Sequence, residues 1–516
     1  MRAASLLALA VAAAGVAHAA PAITAASIDA TVARAMRQFD VPGVAVAVVK
    51  DGQVAYAKGF GARALGQLDR VDVDTVFQIG SNTKAFTTAA LSMLVDEGKL
   101  TWDDKVIDRL PQFRLYDPYV TREFTVRDLL THRSGLGEGA GDLMFYPATD
   151  FSRAEIVRGL RHLKPVSGFR AKYNYDNLLY MVAGELVAAV TGTPWEDFVE
   201  RRIFQPLQLK SCAADHSRLK AGAPFAAPHT VVDGKLTRIP VEDIRVIGAA
   251  GTINCSLRDM TTWLQTQLGE GVAPNGIKLF TPERAAEMWT LNTVEEVDPV
   301  LTALLRTHFK GYGLGWYVSD EFGFKRVAHT GGVPGTSTWV AMIPELKLGV
   351  LVFTNHDDGS AMEAIGNSIL DAYVGAPKRD LVALLAGRAA GIAKEAAAAE
   401  AEVKKTLAAG TGVAVLPLKA YAGRFNDVWR GEATVDQQGD RLRLKFGRTT
   451  RLEGVLTPYL GNVFIVRWAE RSLNADAFVR FSQTFDGSID GFTMRAVSPT
   501  TNFSFDFQDL NFVRTP

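Results

Sequence analysis

The sequence predicts an α/β (α+β) protein. An antiparallel sheet flanked by helices carries a helical insertion, and a small C-terminal antiparallel β-barrel or sandwich follows. Three observations carry this expectation. Strand pairs stand near both ends of a long mixed segment, residues 25–375. An Ala/Glu/Lys-rich stretch, 376–412, breaks the pattern. Short alternating apolar runs fill 413–516. A chain of 516 residues is also too long for one ordinary domain.

Residues 1–19 read as a secretory signal peptide. Arg2 precedes a short apolar run that ends in Ala17-His18-Ala19. The run is short for a bilayer span, so an exported protein, periplasmic or secreted, with no stable membrane span is expected. "ITAASIDATVARAMRQFD" is the opening helix. "VPGVAVAVVKDGQVAYAKGFG" alternates and turns at Lys50-Asp51-Gly52, a hairpin. "FQIGSNTKAFTTAALSMLVDEGKL" reads as a loop entering an amphipathic helix. "GTSTWVAMIPELKLGVLVFTN" is the closing strand pair, turning near Pro344-Glu345, and a helix from about 359 to 373 follows it. Strands at both ends with helices between imply one sheet built from the two chain ends. "AAGIAKEAAAAEAEVKKTLAAGTG" is a strong intrinsic helix with little to bury, hence a helical linker. Beyond it, Gln-Gly-Asp and Asp-Gly turns separate the strand-like runs of the C-terminal unit.

Composition narrows the function classes. Lys+Arg and Asp+Glu are both 56, so no basic surface for nucleic acid is implied. The eight histidines include no pair at helical ligand spacing, and no metal or cofactor is expected. Cys212 and Cys255 are the two cysteines. Export would permit a disulfide, but nothing in the sequence brings them together, and two buried thiols are the plainer expectation.

The chemistry starts at Ser81 and Lys84. Positions i and i+3 share a helix face, here at a helix N-terminus that favours negative charge. Alone, the pair reads as an N-cap serine with a snorkelling lysine. Two further elements follow in order. One is Tyr175-Asp176-Asn177. The other is His329-Thr330-Gly331-Gly332, entering a strand. Each has a bland reading as a core aromatic, a helix cap or a strand entry, but three together in this order are hard to obtain by chance. No Gly-x-Ser-x-Gly elbow of an α/β-hydrolase occurs.

With these motifs the segment from Ala25 to Val374 resembles the serine β-lactamases and penicillin-recognising enzymes. It is most similar to the class C-like group, with its D-Ala-D-Ala carboxypeptidases, D-aminopeptidases and esterases. "TVRDLLTHRSGL", "AAGTINCSLRDMTTWL" and "GYGLGWYV" add to the likeness. The C-terminal unit resembles the lipocalin-like β-domain appended to some of these hydrolases. The resemblance implies a fold and a set of roles. Ser81 is the nucleophile, Lys84 serves the proton relay, and Tyr175 is the general base and later the acid. Asn177 holds the substrate carbonyl and Lys84. His329, Thr330 and Gly331 form a strand edge for the substrate. The N–H groups of Ser81 and Gly332 form the oxyanion hole. The implied substrate is a small peptide, amide or ester, and the leading expectation is a peptidase of D-amino-acid-containing peptides. An esterase, a weak β-lactamase, or a non-catalytic binder of cell-wall peptide is the alternative. His329 stands where β-lactamases carry lysine. An unperturbed imidazole there would gain charge as pH falls toward 6 and draw in a substrate carboxylate.

Overall fold

The computed structural model describes residues 23–516; the signal-peptide assignment lies outside the described residues. Helix α1 (Ala25–Gln38) starts at Thr24, whose side chain accepts from the Ser27 N–H. Strands β1 (Gly43–Lys50) and β2 (Gln53–Gly61) form the expected hairpin. Its turn residues Asp51 and Gly52 both have positive φ, 51° and 76°, which suits the right-handed twist of the strands.

The main sheet has eight antiparallel strands. After β1 and β2 come β3 (Thr293–Glu295), β4 (Lys310–Tyr312), β5 (Tyr317–Glu321), β6 (Phe324–Val333), β7 (Thr336–Ile343) and β8 (Leu348–Thr354). The spatial order is β2-β1-β8-β7-β6-β5-β4-β3. The first hairpin therefore meets the last strand, Val46 facing Val352, and the sheet joins the two chain ends. β3 and β4 were not expected: each spans three residues, too few for a visible alternation. β1, β7 and β8 are buried along nearly their whole length. α1 and α4 (Ser360–Val374) pack their apolar residues against one face. The helical insertion packs on the other.

Two expectations are corrected. Cys212 and Cys255 are paired in a disulfide, with Cα atoms 4.2 Å apart. The tertiary fold sets that closeness across 43 residues of sequence, so no local pattern could reveal it. Helix α2 (Thr83–Asp96) is not amphipathic: every residue from Thr83 to Leu94 is buried. It is enclosed on all sides, so no face needs to be polar.

The linker is helix α5 (Leu381–Thr406). It is not free of tertiary contact. Val382 and Leu385 join the core under α4, and ion pairs Arg34–Asp380 and Arg467–Glu400 fix its two ends. The C-terminal unit is a closed eight-stranded antiparallel barrel. Its strands are β9 (Gly423–Asp427), β10 (Gly431–Gln438), β11 (Arg441–Phe446), β12 (Glu453–Leu460), β13 (Val463–Trp468), β14 (Ala477–Gln483), β15 (Ile489–Ala496) and β16 (Asn511–Arg514). Aromatic rings fill its interior: Phe481 lies 5.5 Å from Phe492, and Phe492 stacks at 4.5 Å on Phe512. Across the seam to the N-terminal unit, Arg448 pairs with Glu155, Arg451 with Glu242, and the Thr449 hydroxyl donates to the Ala148 carbonyl at 2.7 Å.

Candidate active site

Ser81 sits in a 3₁₀ turn, Gly80–Asn82, directly ahead of α2. The turn is pinned to β7. Thr338 Oγ1 donates to the Ile79 carbonyl at 2.8 Å and accepts from Asn82 Nδ2 at 2.9 Å. Two glycines permit this contact. A Cβ on Gly331 would lie 1.9 Å from the Ile79 oxygen, and Gly80 has φ +53° with Gly332 N beside it.

Lys84 lies one turn on, fully buried. Its ammonium nitrogen is 3.0 Å from Ser81 Oγ, 2.8 Å from Asn177 Oδ1 and 2.8 Å from the Ala250 carbonyl. Burial pushes its pKa down to about 7, against the attraction of Asp142 and Asp176. Asn177 and Ala250 present oxygens that only accept. A neutral Lys84 therefore spends its N–H groups on them and turns its lone pair to Ser81.

Tyr175 and Asn177 arrive just ahead of helix α3 (Leu178–Thr191). The Tyr175 hydroxyl donates to Ser81 Oγ at 2.6 Å. Burial holds its pKa well above the usual phenol range, so the resting group is a neutral donor to Ser81 and not the base that the resemblance implied. Lys84 also lies over its ring, 4.7 Å from the centroid. Asn177 Nδ2 donates to Asp142 Oδ2 at 2.9 Å, which leaves one of its N–H groups for a substrate.

β6 supplies the other wall. It pairs with β5 only from Phe324 to Ala328. From His329 on, that edge has no β5 partner, and Thr330 and Gly332 line the cleft. An extended substrate can lie along such an edge as an added strand.

His329 departs from expectation. Its Nδ1 donates to the Thr330 carbonyl at 2.6 Å, so its Nε2 accepts from the Tyr312 hydroxyl at 2.8 Å. Burial, with Lys84 nearby, pulls its pKa to about 3. The expected charge near pH 6 does not arise, because both ring nitrogens are engaged and the ring is shut off from water.

The structure thus gathers Ser81, Lys84, Tyr175, Asn177, His329, Thr330 and Gly332 at one cleft, with Gly331 beneath it. It also brings in residues that carried no expected role. His132 Nδ1 accepts from the Asp176 N–H at 3.1 Å, and its ring lies 4.3 Å from that of Tyr175. Asp142, in "GEGAGDLMFY", is fully buried with its pKa raised to about 8 by burial. A lone acid between Gly-Ala-Gly and an apolar run was its only signal. Phe503, from the loop before β16, meets the Tyr175 ring edge-on at 5.8 Å. The cleft holds about 1710 Å³ and runs from Ser81 between α5 and the barrel.

A family model described as Beta-lactamase matches residues 28–373. The chain belongs to the β-lactamase family. A second model, described as a domain of unknown function (DUF3471), matches residues 409–514, the barrel. "Unguisins hydrolase ungD'" of Aspergillus campestris is 30% identical over 339 residues, covering 63% of this chain and 60% of that protein. The chain thus matches less than two thirds of the length of that relative. "Penicillin-binding protein 4" of Amycolatopsis lactamdurans is 30% identical over 326 residues, covering 62% of this chain and 82% of its own. The solved octameric penicillin-binding protein homologue from Pyrococcus abyssi superposes with a TM-score of 0.60 at 21% identity, covering 95% of this chain and 99% of the other. That likeness shows that sheet, linker and barrel recur together as a fold.

Proposed function

We propose that the protein is a serine hydrolase that forms an acyl-enzyme on Ser81 and acts on peptides containing D-amino acids, cleaving an amide bond. The observation that carries this is the Lys84 environment: two fixed acceptors and a depressed pKa aim a lone pair at a serine hydroxyl 3.0 Å away. Ser81 Oγ attacks the carbonyl carbon as its proton passes to Lys84. The backbone N–H groups of Ser81 and Gly332 hold the oxyanion. Tyr175 then gives its proton to the leaving nitrogen as the C–N bond breaks, and Lys84 re-protonates Tyr175. Water reverses the sequence to free the acyl group.

The cleft's charge bears on the substrate. Among the described residues lining it, the arginines are Arg467 and Arg471, both paired with Asp476. His329 is neutral, while Glu138 lies on the wall beside Glu295, which is paired with Lys310. This favours an acyl donor with an amine or neutral end over one that needs a free carboxylate, and so the aminopeptidase or amidase type over the carboxypeptidase. An esterase fits the same machinery. Export is part of the proposal: the N-terminal sequence motivates it, and the Cys212–Cys255 pair favours an oxidising compartment.

The test is a panel of D-amino-acid amides, D-Ala-D-Ala peptides, p-nitrophenyl esters and nitrocefin, run with a fluorophosphonate label. Amide turnover with labelling of Ser81, both abolished in Ser81→Ala, is the expected result. Labelling that persists in Ser81→Ala would refute the assignment.

A further inference from the structure

The polar chain that ends at Lys84 does not begin in the hydrolase unit. Lys84 holds Asn177 Oδ1, and Asn177 Nδ2 donates to Asp142 Oδ2. That same Asp142 oxygen accepts from the hydroxyl of Ser504 at 2.7 Å, and Ser504 lies on the barrel loop between β15 and β16. Two residues on, Asp506 accepts from the N–H groups of Gly141 and Leu143, at 2.6 and 3.1 Å. The barrel thus brackets the Asp142 turn, gripping the carboxyl with one residue and the flanking backbone with another. Asp142 and Asp506 are fully buried and Ser504 nearly so, where hydrogen bonds are strong and mismatches costly.

We infer that Asp142, held by Ser504 of the C-terminal barrel, is a positioning residue for Lys84, and that the barrel thereby completes the catalytic relay. The inference rests on the Ser81–Lys84 reading above. An amide side chain can sit either way round. With Asp142 as acceptor, Nδ2 must face the carboxyl, which turns Oδ1 to Lys84. A flipped Asn177 would set oxygen against carboxylate and N–H against ammonium. Contacts that merely dock the barrel have no need to run through an amide to a buried lysine, and the rim pair Arg448–Glu155 does not.

The groups facing Lys84 and Asp142 are Asp176, His132, His329, Tyr175, Tyr180 and Asp506. Burial keeps both imidazoles and both phenols neutral, and raises the Asp506 pKa well above the carboxylate range. Asp142, with its pKa at about 8, is mostly protonated where Lys84 titrates; the Ser504 bond and Lys84 itself draw it toward the ionised form, and the ionised fraction raises the proton affinity of Lys84. Removing either makes Lys84 release its proton at lower pH.

The test follows acylation of the full-length enzyme by p-nitrophenyl acetate as a function of pH, with melting temperatures, in wild type, Ser504→Ala, Asp142→Asn and the rim control Arg448→Ala. Ser504→Ala should lower kcat by roughly tenfold with little change in KM, as expected for loss of positioning. It should also move the acidic limb down by roughly 0.2 pH unit, and Asp142→Asn should move it further, by roughly 0.5, because only part of Asp142 is ionised where Lys84 titrates. Arg448→Ala should leave the limb in place. A limb that stays put in both Ser504→Ala and Asp142→Asn overturns the inference, whatever happens to kcat or stability. A wild-type enzyme that never acylates Ser81 overturns the site assignment and this inference with it.

Discussion

The two sheet-built units bury different things. The barrel encloses rings: Phe425, Phe446, Phe464, Phe481, Phe492 and Phe512 are all shut from water. The N-terminal unit encloses, near its centre, Lys84, Asp142, Asp176, His132 and His329. Burying a ring stabilises by about 1.5–3 kcal/mol, while burying an ionisable group costs free energy unless it is hydrogen-bonded and paired. The N-terminal unit keeps that costly cluster, and its shifted proton affinities are those the proposed acyl transfer would need. The barrel's own buried cation, Arg430, sits at the seam, over Phe446 and near Phe151 of the other unit. The difference teaches that this barrel, filled with side chains, leaves its outside to act, through the loop that carries Phe503, Ser504 and Asp506.

The comparison breaks most visibly at Tyr175. Tyr175→Phe keeps the ring and removes the proton donor to Ser81, so turnover should fall by roughly 10²–10⁴ with the melting temperature little changed. Near-normal turnover would show that the leaving group takes its proton elsewhere. Phe492→Ala is the mirror case. It opens a cavity in the barrel and should cost about 3–5 kcal/mol of barrel stability in denaturant unfolding. A loss under 1 kcal/mol would mean the interior is looser than the ring contacts indicate. The smallest effect is an expected constancy. Because His329 stays neutral far below pH 6, the ratio of kcat/KM for a carboxylate-bearing substrate to that for its neutral analogue should be flat between pH 8 and 6. A ratio that rises as pH falls would put a titrating imidazole back at the substrate.

Much of this was legible in the chain. Alternation and turn residues disclose the outer hairpins and the barrel strands, and Ser81, Lys84, Tyr175 and Asn177 stand out by type and order. What escaped was set by tertiary contact. Asp142 and Ser504 are 362 residues apart and share one hydrogen bond. The Cys212–Cys255 pair and the burial of α2 likewise depend on what packs around them. His329 was found in place, but its pKa is set by burial and by Lys84 nearby, and residue type alone cannot supply that.

The most direct measurement is the rate of Ser81 acylation by p-nitrophenyl acetate between about pH 5.5 and 8.5. If neutral Lys84 takes the serine proton, the rate climbs about tenfold per pH unit at the acid end and levels off above its pKa of about 7. A rate still climbing at the top of the range, as an ordinary lysine near pKa 10.4 would give, or one flat throughout, would contradict the account.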